Sequence, residues 1–534
     1  MRIFPAQRTF IAALPILFGV AGMALAFYPT LFSGFAQIQH DPADTRLLNY
    51  VLEHDYRWLA RAPGHRALFS PPIFHPEANT AAYTELMLGM LPFYAPWRAA
   101  GFAPDTAFQL WMLLTGGLNF VAAYLLLRRC LRFTALASCF GSFLFAFGSP
   151  RLNQLNHQSL VPQFFTVLAV YALVRVFEPE PANRFPGFWI AVFFASTTAQ
   201  LYASYYQGWF LLFWLAVALI VAVARRTSRA RLAWLARSHR WPISVCMLAS
   251  CAALAPIAWH YLGAAGTVGY RQFWEASDML PRFGSWFYMG KENWLYGWTA
   301  DRAPFKYLSM DWEHRLGLGL VTSIVAIGSL YRERGKPLVR ILGLSWLVVA
   351  LLASMYRGQV SPWMLIFRWL PGANAIRGVC RIGIMELIPA AVGLALFVDR
   401  RARPPWITIG IAFFCLIEQG RVTFAYDKHP VRADVTALAS QIDRSCPSFF
   451  YSQVGGGKPP WECQLDAMWA EFETHVPTVN GNSGSNPRGW EELEGSNVDS
   501  ESDERRIEAG LSAWAAGHGM QRPDICWVKL RRRD

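Results

Sequence analysis

The chain has 534 residues, of which 54% are hydrophobic and only 16% charged, with 23 Trp, 38 Phe and a formal net charge of +13. A soluble domain is about one-quarter charged, so the composition excludes an ordinary soluble protein and points to a polytopic membrane protein. The basic excess lies in short loops between apolar runs, where it orients a membrane protein rather than binding nucleic acid, and no HExxH, CxxC, GxxxxGK[ST] or strand-linked GxGxxG motif is present.

At about 20 apolar residues per crossing helix, the sequence predicts a mainly α protein with about eleven spans: 9–30, 106–127, 133–149, 159–177, 186–204, 207–224, 241–263, 315–331, 338–356, 377–398 and 405–423. The loops RRCLR (128–132), RRTSRARLAWLARSHR (225–240), YRERGKPLVR (331–340) and DRRARP (399–404) are strongly basic and therefore expected inside. An odd number of spans then puts the N-terminus inside and the C-terminal region outside, with 31–105, 264–314 and 357–376 as outer segments. Ala24-Leu25-Ala26 resembles a signal-cleavage site, but the apolar run is long for a signal and reads as an anchor. Aromatic stretches such as GSWFYMGKENWLYGW (284–298) suit an interfacial belt.

From about 424 the chain turns polar, with turn-rich pieces GGGKPP (455–460) and NGNSGSNPRGW (480–490). The expected domains are a membrane module over 1–423, including the first outer loop, and a small extracytoplasmic domain or tail over 424–534. Six of the nine cysteines (130, 139, 246, 251, 380, 415) lie in or beside apolar spans and read as small hydrophobes. Two of Cys446, Cys463 and Cys526 can pair if that region is outside, and which two is open.

With zinc, redox and nucleotide motifs missing, chemistry falls to carboxylates, Arg and His. The stretch HDPADTRLLNYVLEH (40–54) presents Asp41 and Asp44 just after the first span. Structurally, Asp41 reads as an N-cap, Pro42 as the first helical residue, and Asp44 as a first-turn acid facing the positive end of the helix dipole. Leu48, Val51, Leu52 and Leu59 then give an amphipathic outer-loop helix lying along the membrane surface. Functionally, a carboxylate held at a helix start is placed to act as a general base, and either aspartate suits that role. His40, His54 and Asp55 read as solvated groups of the loop and helix face.

QIQHDPADTRLLNYVLEHDYRWL (37–59), PPIFHPEANTAAYTELMLGMLPFYAPWRAAGFAPDTAFQLWMLL (71–114), FLFAFGSPRLNQLNHQSLVPQF (143–164), LPGANAIRGVCRIG (370–383) and HVPTVNGNSGSNPRGW (475–490) together resemble a bacterial branch of the GT-C superfamily of integral-membrane glycosyltransferases. The resemblance implies a bacterial cytoplasmic (inner) membrane enzyme with a polyprenyl-phosphate-linked sugar donor and a catalytic Asp in its first outer loop, here Asp41 or Asp44. It implies a second acidic position, matched by Glu85, and a tail motif of the NGYSG type, where Asn480 is a candidate sugar or acceptor contact. The late turn lacks the family's Pro in RGVCR, and Asn482 stands where Tyr is common.

Beside the resemblance, a phosphate-bearing donor needs outer cations. Arg377 and Arg381, four apart at the outer start of a predicted span, are expected to share a helix face as phosphate ligands. The alternative is that they snorkel to lipid headgroups. His157 and Gln158 are candidate sugar contacts in an outer turn, and Gln200, Tyr202 and Tyr205 line another. The expected reaction is an inverting transfer to an acceptor hydroxyl, on a glycan or a lipid, at the outer face. No cofactor is required, although Mg²⁺ or Mn²⁺ between Asp41, Asp44 and the phosphate is chemically reasonable. The rivals are a transporter or flippase of lipid-linked sugars, kept alive by Glu386 and Glu418 in or near spans, and a catalytically silent scaffold of the same fold.

Overall fold

The computed structural model describes residues 5–178, 185–400, 404–455 and 457–531. Residues 401–403 of the basic DRRARP loop and Gly456 of GGGKPP lie outside the described residues. The fold is mainly helical, and each of the eleven expected stretches carries helix. Only six helices among the described residues are long and apolar enough to cross a bilayer: Ala13–Phe32, Pro104–Cys130, Gln158–Val176, Tyr205–Val223, Arg240–Val268 and Val379–Asp399. A seventh is counted if Pro337–Ala353 and Arg357–Trp369, bent by 84° at their junction, form one span.

The difference from eleven has local causes. Gly148 turns extended and ends the helix Ala135–Phe147 after 13 residues, while Gly319, at φ 93°, delays the start of Leu320–Arg332. Pro186–Ala203 is long enough, but its second half carries Ser196, Thr197, Thr198 and Gln200. Continuous apolarity in the sequence therefore overstates continuous helix.

The chain divides into two compact units, one of residues 1–32, 112–254 and 271–424, the other of 33–111, 255–270 and 425–534. The second unit departs from the expected boundary: the C-terminal segment shares it with the first outer loop. Strand β1 (Gln37–Gln39) pairs antiparallel with β2 (Ala425–Asp427), Gln37 opposite Asp427. A parallel sheet follows, with β3 (Ser448–Val454) between β4 (Asn497–Val498) and β5 (Ile525–Arg531). The helices Pro460–Thr474 and Glu501–Gly517 make the crossovers between these strands.

Alternation along β3 explains why the loop joins this unit. Phe449 and Tyr451 pack with Val435 and Leu438 of the helix Lys428–Ala439 and with Ile442 just after it. Phe450 packs in a second core with Leu511 and Trp514, to which the first loop adds Leu47, Tyr50, Ile73 and Phe74. Three short strands cannot bury enough surface alone, so the loop supplies part of the core. Cys446 and Cys526 form the disulfide, settling which two of the three cysteines pair, and Cys463 is buried and free.

The helix Pro42–Leu59 is not a membrane-surface helix: every residue from Thr45 to Asp55 is buried. His54 and Asp55, expected to be solvated, are 2% and 0% exposed. An amphipathic pattern identifies a face that must be covered, and here protein covers the polar face as well.

Candidate functional site

Asp41 starts the helix Pro42–Leu59, its Oδ1 accepting the Ala43 N–H at 3.0 Å with Pro42 at the first helical position. Its Oδ2 lies 2.9 Å from His40 Nδ1. Asp44 stands half-buried in the first turn, where the helix dipole favours a carboxylate. The two aspartates therefore differ in place: Asp41 is the N-cap, and Asp44 stands in the first turn. A divalent cation fits this pair poorly, because both Asp41 oxygens already serve the cap and His40. A second acidic group, Asp434, Glu462 and Asp466, has the Lys458 ammonium at 2.6, 3.4 and 2.7 Å, which does there what a metal would do.

Glu85 is half-buried in the connection between the short turns Thr80–Tyr83 and Leu88–Met90. The Tyr261 hydroxyl fixes the backbone on both sides of it, donating to the Thr84 carbonyl at 2.8 Å and accepting the Leu86 N–H at 3.2 Å. Asn480 is not available to a sugar. It is fully buried, its Oδ1 accepting the Tyr451 N–H at 2.7 Å and its Nδ2 donating to Gln464 Oε1 at 2.8 Å. The turn-rich composition around it disguised a segment that runs beside β3, with Thr478 bridged in parallel to Phe449.

Behind Asp41 and Asp44 the helix carries a buried titratable group. Glu53 accepts from Arg57 Nε at 3.0 Å, Arg98 Nε at 2.7 Å and Tyr94 Oη at 2.9 Å. His54 Nδ1 lies 2.9 Å from His65 Nδ1, and His65 Nε2 lies 3.3 Å from Glu471 Oε1. Burial is the main cause of each shift here: His54 and His65 are lowered to about 3, and Glu471 is raised to about 8. The His65–Glu471 contact is therefore between neutral groups at pH 7, not an ion pair. Burial also raises Asp55 well above its usual value, and neither of its oxygens has a hydrogen-bond partner among the described residues.

The other unit holds the expected cations. Arg381 grips Glu313, Nη2 to Oε1 at 2.8 Å and Nε to Oε2 at 3.2 Å. His157 Nε2 lies 3.2 Å from Glu313 Oε1 and 2.8 Å from Arg381 Nη2. Burial alone would raise the Glu313 carboxyl, but Arg381 and His157 hold it well below the usual carboxylate range. Arg381 thus already has a full counter-charge. It also stacks on the Tyr206 ring, 5.1 Å from its centroid.

Arg377 and Arg381 do not share an α-helical face. Val379–Glu386 is a 3₁₀ helix, and Arg377 precedes it in irregular chain, its N–H held by the Tyr206 hydroxyl at 3.1 Å. The Arg377 side chain is exposed. Gly378 packs closely on the Arg381 side chain, since a Cβ there would sit 2.5 Å from Arg381 Nε.

Several other candidates have structural duties. Gln158 is buried in the turn Gln158–Leu160. Gln200 Oε1 accepts from the Thr166 N–H and hydroxyl at 3.0 and 2.9 Å, and Tyr205 donates to the Gly372 carbonyl at 2.8 Å. The Tyr202 hydroxyl donates to the Ala253 carbonyl. Glu418 accepts the Val321 and Thr322 N–H groups at 2.9 and 2.7 Å, capping Leu320–Arg332 rather than lining a transport route.

The residues missed by sequence reasoning are Glu313 and Tyr206. The dense acid–base run DWEHR (311–315) in an aromatic outer segment was the available signal for the first. Its neighbours are matched pairs too: Arg315 bonds Glu292 at 2.6 Å and Asp311 at 2.8 Å. Unlike Arg315 and Arg381, Arg377 has no carboxylate within ion-pair distance among the described residues.

No family model matches the chain, and no curated protein matches it. Among solved structures it is similar to the crystal structure of ArnT from Cupriavidus metallidurans in the apo state, at 12% identity over 94% of this chain and 91% of that one, with a TM-score of 0.40. At that score no residue role is transferred from it.

Proposed function

We propose that the protein is a GT-C-type membrane glycosyltransferase that moves a sugar from a polyprenyl-phosphate-linked donor to an acceptor hydroxyl at the outer membrane face. The observation that supports this most is the helix start at residues 41–44, where Asp41 is the cap and Asp44 stands half-buried in the first turn. Asp44 takes the proton of the acceptor hydroxyl, whose oxygen attacks the anomeric carbon with inversion as the lipid phosphate leaves. Arg377, exposed and with no carboxylate within ion-pair distance among the described residues, is the expected ligand of the donor phosphate. Arg381 is a positioning residue, held by Glu313 and holding Tyr206 against the Arg377 backbone. No step is routed through a metal.

The test is the thermal stability of the full chain in nanodiscs with polyprenyl-phosphate sugars, followed by release of polyprenyl phosphate. A ligand that binds the folded state raises the melting temperature by mass action. The expected pattern is a donor-induced rise in the native protein and in Asp44→Asn, its loss in Arg377→Ala, and product only from the native chain. Product from Asp44→Asn at the native rate would overturn the assignment of the base. Vesicle uptake of the intact donor without cleavage would favour the transport reading, to which Glu386, with one buried oxygen lacking a partner, still belongs.

A further inference from the structure

The unit containing the C-terminal segment has a cavity of about 470 Å³ with two chemically distinct sides. Phe35, Phe102 and Leu110 make it apolar on one side, and the start of the helix Lys428–Ala439 brings Lys428, His429 and Arg432 to the other. In the chain it adjoins two helices long and apolar enough to cross a bilayer. The span Ala13–Phe32 ends three residues before Phe35, and the span Pro104–Cys130 begins two residues after Phe102 and contains Leu110. At 1.5 Å per residue, Leu110 lies roughly 9 Å along that helix, a distance comparable to the headgroup layer of a bilayer.

The cations there are only partly compensated. Lys428 donates to Thr106 Oγ1 at 2.8 Å and Gln109 Oε1 at 3.0 Å, while the nearest Asp105 oxygen is 3.7 Å away, beyond hydrogen-bond reach. The ammonium has three protons, and these two bonds use two of them. Arg432 holds Asp105 through Nε, at 2.6 Å, and Nη2, which leaves Nη1. Two carboxylates, Asp105 and Asp427, thus lie beside Lys428, with Arg432 and the exposed His429 imidazole close by. Burial is the main cause of a Lys428 pKa below its usual value, even with Asp105 and Asp427 raising it.

We infer that this cavity binds the phosphate of an anionic membrane phospholipid. Lys428 and Arg432 are the charged donors, His429 lies at the rim, and Phe35, Phe102 and Leu110 face the glycerol and first methylenes. A free phosphate would use the same cations and gain nothing from the apolar wall, whereas a phospholipid uses both. This assignment is independent of the transfer chemistry proposed above.

The test uses the full chain in phosphatidylcholine nanodiscs into which phosphatidylglycerol is titrated, read by melting temperature and by lipid retained in native mass spectrometry. Phosphatidylglycerol is expected to stabilise the native protein, and Lys428→Gln to weaken retention about tenfold, as befits one charge-assisted hydrogen bond. Because Lys428 also ties Thr106 and Gln109, a second variant, Phe102→Asp, places a repelling charge on an exposed wall residue. It is expected to lose phosphatidylglycerol retention while keeping its melting temperature in pure phosphatidylcholine. Asp44→Asn should respond like the native chain, which separates this site from the proposed catalysis. No preference for phosphatidylglycerol, full retention by Phe102→Asp, or equal stabilisation by inorganic phosphate would each overturn the assignment.

Discussion

Two groups of buried titratable side chains, one in each unit, meet the cost of burial in opposite ways. Glu313 stays ionised because Arg381 and His157 surround it, so charge is answered by charge. His54, His65, Glu471 and Asp55 stay neutral, and their cost is avoided by giving up ionisation. Pairing fixes geometry but punishes loss of a partner. Neutrality tolerates imperfect partners but makes the fold depend on pH.

The sharpest way to break the contrast is Glu313→Ala. It leaves Arg381, 12% exposed, with an uncompensated charge, and removal of one partner from a buried pair costs about 3 to 5 kcal/mol. A lowered melting temperature in nanodiscs, with increased hydrogen exchange in the 311–315 and 379–386 segments, is the expected result. Unchanged exchange there would mean that Arg381 finds another counter-charge.

The neutral group predicts pH dependence of the other unit. Glu471, ordinarily near 4.5 and raised to about 8, keeps a proton that the unfolded chain has released, so its contribution is complete below pH 4.5 and lost as pH rises to 8. His54 and His65, lowered from 6.5 to about 3, contribute fully above pH 6.5 and lose that contribution as pH falls toward 3. Stability should pass through a maximum, with losses on the order of a few kcal/mol toward either extreme. Hydrogen exchange of the segment Pro460–Thr474 at pH 6 and pH 9 measures the alkaline loss, which Glu471→Gln should remove. The Glu313 pair, whose carboxyl is lowered, loses stability only as pH falls through that lowered value, and should be flat over the same interval.

Smaller effects sharpen the distinction between the two aspartates. Asp41→Ala removes an N-cap and should destabilise the unit by about 1 kcal/mol. Asp44→Asn keeps the cap, so its stability change should stay within about 0.5 kcal/mol while transfer falls by roughly 100-fold or more. An equal loss of stability in both variants would show that Asp44, too, is needed to start the helix.

What the sequence revealed was local. Asp41-Pro42-Ala43-Asp44 announces a helix start because cap and ring act within one turn, and the structure has both in place. The polar break near 424 coincides with the start of β2 at Ala425, because composition changes where the membrane ends. Long-range partners were illegible: nothing local to Cys446 selects Cys526 over Cys463, and nothing local to Arg381 announces Glu313. Asn480 misled for the same reason, since a turn-rich stretch and a segment laid along a strand have similar letters. His54 and Asp55 misled because helical periodicity cannot say whether a polar face meets water or protein.

The interleaved construction of the second unit bears on its birth at the ribosome. Leu47, Tyr50, Ile73 and Phe74 share a core with Phe450, Leu511 and Trp514. Roughly 390 residues of synthesis separate the two contributions, and at about 5 to 20 residues per second the first loop waits on the order of 20 to 80 s for its other half. During that interval its apolar side chains are exposed and β1 lacks its neighbour, a state that invites chaperone binding and makes translation of the last hundred residues the step that commits the unit to fold.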